Sequence, residues 1–230
     1  DWSSDVCSSD LYYATPHELV TKLWIVPGAL TAVLFPAFAA QISQRDPDTW
    51  PVFKKALHWL FVALFPITLA LALFSRELLS LWINPEFATQ SAHLLQIFAF
   101  GILINCMAHV PFTLIQGAGS AKLTAIIHTA ELPFFLVALW WLTSTYGITG
   151  AAIAWLLRVT VDTVLMFAVC APLVGRTIHS IARPKALLMA AVALIGFAGL
   201  LIVPIQIRFA WVAAFTGAVV TTLFLRKSSA

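Results

Sequence analysis

Ionisable side chains lie inside two apolar segments in the middle of the sequence. Glu131 lies about 15 Å into the first segment if that segment is helical, which is close to the midplane of a bilayer. Arg158 lies at a similar depth in the second, and Asp162 follows it by one helical turn on the same face. Charges at such a depth are costly unless they are paired or face water, and they commonly mark a site that handles a polar substrate.

These charges have two interpretations. A short connection makes the two segments antiparallel, so we expect Glu131 or Asp162 to lie within salt-bridge reach of Arg158. The residues could then only neutralise one another, as a structural lock between helices, or they could line a substrate pathway with the acidic groups orienting Arg158. His128 precedes Glu131 by three residues and could join this network by hydrogen bonding or as a proton relay.

Other polar side chains within apolar segments are weaker candidates. Asn105 and His109 share one face at a spacing of four residues, and we expect them to be interhelical hydrogen-bonding groups more often than ligands. Glu18 and Lys22 have the same spacing near the edge of the first apolar segment, where an ion pair would contribute little.

The composition is that of a membrane protein. Hydrophobic residues make up 61% and charged residues 10% of the chain, and the mean hydropathy is +0.93. Soluble domains carry about 25% charged residues. The net charge of +3 does not suggest a nucleic-acid partner. Cys7, Cys106 and Cys170 have no motif spacing, and the sequence predicts no metal site, no cofactor and no catalytic nucleophile paired with a base.

The first eleven residues do not read as native sequence. Residues 1–11, DWSSDVCSSDL, have no apolar periodicity. They match the translation of a sequencing adapter, so we interpret them as an artefact and exclude them from fold analysis. We therefore expect this segment not to pack against the core, and the native chain to continue upstream of Tyr12.

Seven apolar segments follow, each long enough to cross roughly 30 Å of hydrocarbon. We place them near Glu18–Ala40, Leu57–Trp82, Ala92–Gln116, Lys122–Thr143, Ile148–Leu173, Lys185–Pro204 and Ile207–Leu225. The sequence predicts an all-α, polytopic helix bundle, with five spans in residues 12–173 and two further spans in residues 174–230.

The basic residues indicate the orientation of these spans. Nine lie on the side of the first polar connection: Arg45, Lys54, Lys55, Lys122, Arg176, Arg183, Lys185, Arg226 and Lys227. Three lie on the other side: Lys22, Arg76 and Arg208. The positive-inside rule then predicts a cytoplasmic C-terminus.

Several motifs together resemble the polysaccharide and oligosaccharide flippases. Three are the segments YYATPHELVTKLWIVPGALTAVLFPAFAAQIS, IQGAGSAKLTA and GITGAAIAW. The other two are spacing patterns: His-x-x-Glu-x-Pro, formed by His128, Glu131 and Pro133, and Trp-x-x-Arg-x-x-x-Asp, which contains Arg158 and Asp162. That family belongs to a superfamily with multidrug extruders and the lipid II flippase. Its members have twelve or fourteen helices in two six-helix lobes, and seven spans ending in the cytoplasm fit helices eight to fourteen. The chain is then expected to be a C-terminal half that lacks its N-terminal partner lobe.

The resemblance implies movement of an undecaprenyl-diphosphate-linked oligosaccharide across the cytoplasmic (inner) membrane, for the biosynthesis of cell-surface polysaccharide such as lipopolysaccharide. A cavity between the lobes would open to alternate sides while the lipid tail stays in the bilayer. Arg158, and Lys22 nearer the periplasmic end, would hold the diphosphate. A cation-coupled multidrug extruder is the alternative within the superfamily, and an upstream lobe with an acidic cavity would favour it. An integral-membrane glycan-transfer enzyme fits less well, because the external connections are short and carry few reactive groups.

Overall fold

The protein is helical throughout the part that can be described. The computed structural model describes residues 2–44, 49–175 and 184–224, with side chains described for residues 10–44, 49–175, 189–199 and 203–221. Within these ranges every regular element is a helix and there is no strand. The predicted all-α fold class is confirmed.

Eight α-helices and two short 3₁₀ turns make up these residues. The elements are α1 (Trp2–Thr21), a 3₁₀ turn (Lys22–Trp24), α2 (Ile25–Ser43), α3 (Thr49–Leu73), α4 (Ser75–Trp82), α5 (Pro85–Gly117), α6 (Ala121–Leu173), α7 (Pro184–Ile202), a second 3₁₀ turn (Ile205–Ile207) and α8 (Arg208–Phe224).

The apolar helices identify a multi-pass membrane protein. Four helical stretches are long and apolar enough to cross a membrane: Asp10–Ser43, Thr49–Leu73, Pro85–Gly117 and Ala121–Leu173. The last contains two of the predicted spans, the second predicted span is divided between α3 and α4, and most of the final two predicted spans lies on α7 and α8.

Two sequence predictions fall partly outside the described residues. The backbone of α1 is helical from Trp2, so it extends through the segment interpreted as an artefact. Asp10 and Leu11 are exposed, and the side chains of residues 1–9 lie outside the described part. Some of the basic residues used to predict the orientation also lie outside the described part of the chain. They are Arg45, Arg176, Arg183, Arg226 and Lys227, together with the side chain of Lys185.

Helix α5 is the central element, because α1, α2, α3, α4 and α6 all contact it. The residues at its N-terminus determine where α5 begins. The Asn84 side chain accepts a hydrogen bond from the backbone N–H of Phe87 at 2.7 Å, and Pro85 occupies the first helical position, where a missing N–H costs nothing. Farther along, Leu94, Phe98 and Ile102 are fully buried against the surrounding helices. Burial of such side chains typically stabilises by about 1.5–3 kcal/mol each.

A break between α3 and α4 differs from the sequence prediction. The predicted span 57–82 is interrupted at Phe74, so α3 ends nine residues before the predicted end. Arg208, at the start of α8, accounts for the break. Its Nη1 donates to the carbonyl oxygen of Leu73 at 2.6 Å and to Oε1 of Glu77 at 3.2 Å. A cation at a helix C-terminus satisfies the free carbonyl and interacts favourably with the helix dipole.

Helix α6 is a hairpin with a sharp reversal at one residue. Gly147 has φ 58° and ψ −138°, a conformation that favours glycine, and helical backbone lies on both sides of it. We call residues 121–146 the first arm and residues 148–173 the second arm. A Cβ at Gly150 would collide with the carbonyl of Leu142, so the arms are closely packed and antiparallel just beyond the reversal. The predicted turn at residues 144–147 is thus a single-residue reversal, not a loop.

Candidate charge site in the helical hairpin

One stripe of the first arm faces the rest of the protein. The buried or half-buried positions follow a spacing of three and four residues, the repeat of one helix face. They are Thr124, Ile127, His128, Glu131, Phe135, Ala138, Leu139 and Leu142. Most other side chains of this arm are exposed. Glu131 lies at the middle of the stripe and is 8% exposed. The helix period therefore turns His128 and Glu131 toward the second arm.

His128, Glu131 and Asp162 come together across the hairpin. The Nδ1 atom of His128 lies 3.4 Å from Oδ1 of Asp162. One nitrogen or carboxylate oxygen from each of the three residues lies within 4.8 Å of the others. The antiparallel arms explain this geometry, because Glu131 and Asp162 lie at nearly equal distances from Gly147 along the two arms and His128 lies about one turn from Glu131. We call these three side chains the hairpin cluster.

The carboxylates of the hairpin cluster are unsatisfied. Both oxygens of Glu131 and Oδ1 of Asp162 are buried, and none has a hydrogen-bond partner among the residues that the structure describes. Buried polar atoms nearly always have partners, so each such atom requires an explanation.

Arg158 does not form the expected salt bridge. Its guanidinium carbon lies 5.3 Å from the centroid of the Phe135 ring, and the side chain is exposed. Within the described part of the chain, no carboxylate oxygen lies within 4.0 Å of its nitrogens. The prediction that Glu131 or Asp162 would pair with Arg158 at that distance is wrong. Helical side chains lean toward the N-terminus of their own helix, so Arg158 leans away from Asp162 and toward Phe135 on the antiparallel arm.

Helix α5 borders this site. The ring centroids of Phe112 and His128 are 6.3 Å apart, and His109 is close enough to Asp162 for their charges to interact. The hydroxyl of Thr163 donates to the carbonyl of Val159 in its own arm at 2.6 Å and lies 3.3 Å from the carbonyl oxygen of Ile104, so the second arm contacts α5 here. His109, which was expected to be an interhelical hydrogen-bonding group more often than a ligand, is therefore adjacent to the hairpin cluster.

Asn105 and Lys22 lie in other contacts. Asn105 on α5 accepts a hydrogen bond from the indole N–H of Trp24, in the 3₁₀ turn between α1 and α2, at 2.9 Å. Lys22 donates to Glu18 at 2.8 Å, and about 70% of each side chain is exposed. This pair is the expected exposed ion pair, which contributes little to stability. The structure does not bring Lys22 into the hairpin cluster.

An aromatic cluster that was not predicted joins α1, α5 and the second arm. The His17 ring lies 5.2 Å from Phe98 and 5.5 Å from Trp155 between ring centroids, and Tyr13 lies 5.1 Å from Phe98. A Cβ at Gly101 would collide with the Trp155 ring, so glycine provides the space for this indole. The four-residue spacing of Tyr13 and His17 was an available signal. Their partners on distant segments were not visible in the sequence.

Comparison with known proteins identifies relatives. The MatE family model matches residues 28–142. A protein of Shigella flexneri named "Putative O-antigen transporter" is 32% identical over 159 residues, which cover 67% of this chain and 37% of that protein. The chain thus spans well under half the length of this curated relative. No solved structure gives a significant match.

Proposed function

The chain belongs to the MatE family, and we propose that it is part of a flippase that moves an undecaprenyl-diphosphate-linked oligosaccharide across the bacterial inner membrane. The name of the Shigella flexneri relative supports a role in the biosynthesis of surface polysaccharide. In this proposal the chain is a transporter and not an enzyme, and the glycan leaves with its covalent bonds unchanged.

The observation that carries the proposal is the environment of Arg158. This residue lies inside an apolar helical arm, is exposed, and has no carboxylate within 4.0 Å among the described residues, although its charge still acts on Glu131 and Asp162. A cation at such a depth is costly unless it meets a partner or water. The Phe135 ring holds the guanidinium by a cation–π contact, which leaves its N–H groups available to an anion. A diphosphate is a suitable anion, because guanidinium binds phosphate oxygens in a bidentate manner.

A flippase must move a charged diphosphate and a chain of hydroxyl groups past hydrocarbon. A protein cavity can keep these groups hydrated or bound while the prenyl tail remains in lipid. We propose that the exposed face around Arg158 lines such a cavity and that a preceding N-terminal lobe forms its other wall. Rocking of the two lobes would then open the cavity to the cytoplasm and the periplasm in turn.

The proposed orientation places the C-terminus in the cytoplasm. The positive-inside rule supports it, since Lys54, Lys55 and Lys122 lie on one side of the spans, and Arg76 and Arg208 lie on the other. In this orientation the α6 reversal at Gly147 faces the periplasm.

Substitution of Arg158 in the complete protein tests the proposal. We expect Arg158→Gln to reduce translocation of the sugar lipid into vesicles by roughly 10-fold or more, because a charge-assisted contact is lost. Arg158→Lys should restore part of the rate, since it keeps the charge but not the bidentate geometry. Lys122→Gln, which removes an exposed charge near the start of the first arm, should behave as the unmodified protein.

The amount and thermal stability of each variant distinguish binding from folding. If Arg158 binds the diphosphate, Arg158→Gln should remain folded in detergent with an unchanged melting temperature. A fall in translocation that only follows a fall in the amount of folded protein would contradict the proposal.

A further inference from the structure

The hairpin cluster has the composition and spacing of a metal site. His128 and Glu131 are three residues apart on one helix face, and Asp162 faces them from the second arm. One potential ligand atom from each lies within 4.8 Å of the other two. Di-iron helix bundles build metal sites from a glutamate and a histidine three residues apart, together with carboxylates from facing helices. The spacing here is the same, with the histidine first.

The ligand atoms are not engaged in hydrogen bonds with one another. The distance of 3.4 Å from His128 Nδ1 to Asp162 Oδ1 exceeds the usual range for a hydrogen bond. Both oxygens of Glu131 and this oxygen of Asp162 have no hydrogen-bond partner in the described residues, and Glu131 is 8% exposed. Ionised carboxylates can only accept. Two ionised carboxylates that face each other in an apolar interior are stabilised by a cation bound between them. Arg158 is near enough for its charge to act on both carboxylates, but among the described residues it forms no ion pair with either.

We infer that the hairpin cluster binds a divalent cation of the zinc type. Protein ligands lie about 2.0–2.2 Å from Zn²⁺, so two ligands of one tetrahedral ion lie roughly 3.3–3.6 Å apart. The separation of His128 and Asp162 falls in this range. The imidazole favours Zn²⁺ or a similar transition metal over Mg²⁺ and Ca²⁺, which prefer oxygen ligands.

Charge supports the same choice. The three ligand side chains, two carboxylates and a neutral imidazole, carry a charge of about −2, and a divalent ion bound among them offsets that charge. A single proton would connect only one donor to one acceptor and would leave the other oxygens without a partner. Three protein ligands leave a fourth position of Zn²⁺ open to water or to a further ligand.

Zn²⁺ binding by the complete protein tests this inference. The protein would be purified in detergent, treated with a chelator, and titrated with Zn²⁺ against a competing fluorescent chelator. We expect one Zn²⁺ per chain, without competition from millimolar Mg²⁺. The variants His128→Gln and Glu131→Gln should each weaken Zn²⁺ binding by at least ten-fold.

Glu86→Gln is the matched control. It makes the same chemical change at an exposed carboxylate in the first turn of α5, and it should bind Zn²⁺ as tightly as the unmodified protein. Zn²⁺ should also raise the melting temperature of the unmodified protein and of Glu86→Gln, but not of Glu131→Gln. If Glu131→Gln does not fold, Asp162→Asn provides the same comparison.

An unmodified protein that binds no stoichiometric Zn²⁺ would overturn the inference, as would cluster variants that bind like Glu86→Gln. The inference goes beyond the proposed function, and the titration contains no lipid-linked sugar. A negative result therefore bears on the metal site and leaves the translocation assay to decide the transport proposal.

Discussion

At the scale of single residues, side-chain direction decides which charges meet. Arg158 and Asp162 share a helix face, but an arginine placed before an acidic residue leans away from it, which is the weaker order for such a pair. His128 takes the position beside Asp162, and Arg158 lies on Phe135. The residue types and their depth in the membrane were visible in the sequence. Their pairing was not, because it depends on the packing of the two arms and on rotamers.

A residue-scale prediction concerns Arg208. Arg208→Gln should destabilise the protein by about 1–2 kcal/mol, because hydrogen bonds from a partly exposed cation to Leu73 and Glu77 are lost. The melting temperature in detergent measures the effect. Arg76→Gln, a nearby exposed arginine, is the control and should change stability little. Equal melting temperatures for the two variants would show that Arg208 does not stabilise the break between α3 and α4.

At the scale of elements, periodic and apolar segments were predictable and their interruptions were not. The seven predicted spans lie on helices because hydropathy and length constrain a chain in a bilayer strongly. The position of the hairpin was predicted as the short connection between the spans that end at Thr143 and begin at Ile148, and the structure refines it to Gly147. The break after Leu73 was missed because it depends on Arg208, which lies 135 residues farther along the chain. The members of the hairpin cluster were predicted as one charge network, but with Arg158 paired to a carboxylate. The approach of His128 to Asp162 joins the two arms, so it depends on how the arms pack.

The hairpin provides an element-scale prediction. Gly150→Ala should destabilise the protein by about 1–3 kcal/mol, because the added methyl group collides with the backbone carbonyl of Leu142 and forces the arms apart. Gly28→Ala is the control, since an added Cβ there has nothing within 4 Å and alanine favours helix. Thermal unfolding in detergent compares the two variants. A loss of stability in Gly28→Ala as large as that in Gly150→Ala would argue against close packing of the arms.

At the scale of the whole molecule, the exposed surfaces are consistent with a lobe that has neighbours in lipid or protein. Helix α5 buries residues along much of its length, whereas the first arm of α6 exposes large side chains such as Phe134 and Trp140. Lipid can cover apolar side chains of this kind, but it cannot satisfy the exposed guanidinium of Arg158. Under the proposed function, a second lobe and the substrate complete the environment of this face.

This arrangement predicts that residues 12–230 are not sufficient for transport. A single lobe cannot enclose a cavity or expose it to the two sides of the membrane in turn, so this segment alone should fail to restore surface polysaccharide in a flippase-deficient bacterial strain. Surface polysaccharide is measured by gel electrophoresis and staining, and immunoblotting of membranes shows that the segment is present. The complete protein is the positive control and should restore the polysaccharide.

Co-expression of the segment with a separately encoded N-terminal lobe should restore part of the activity, because the lobes of membrane proteins can associate after insertion. Restoration by residues 12–230 alone would contradict the two-lobe mechanism, since the chain would then carry the sugar lipid without a second wall around Arg158.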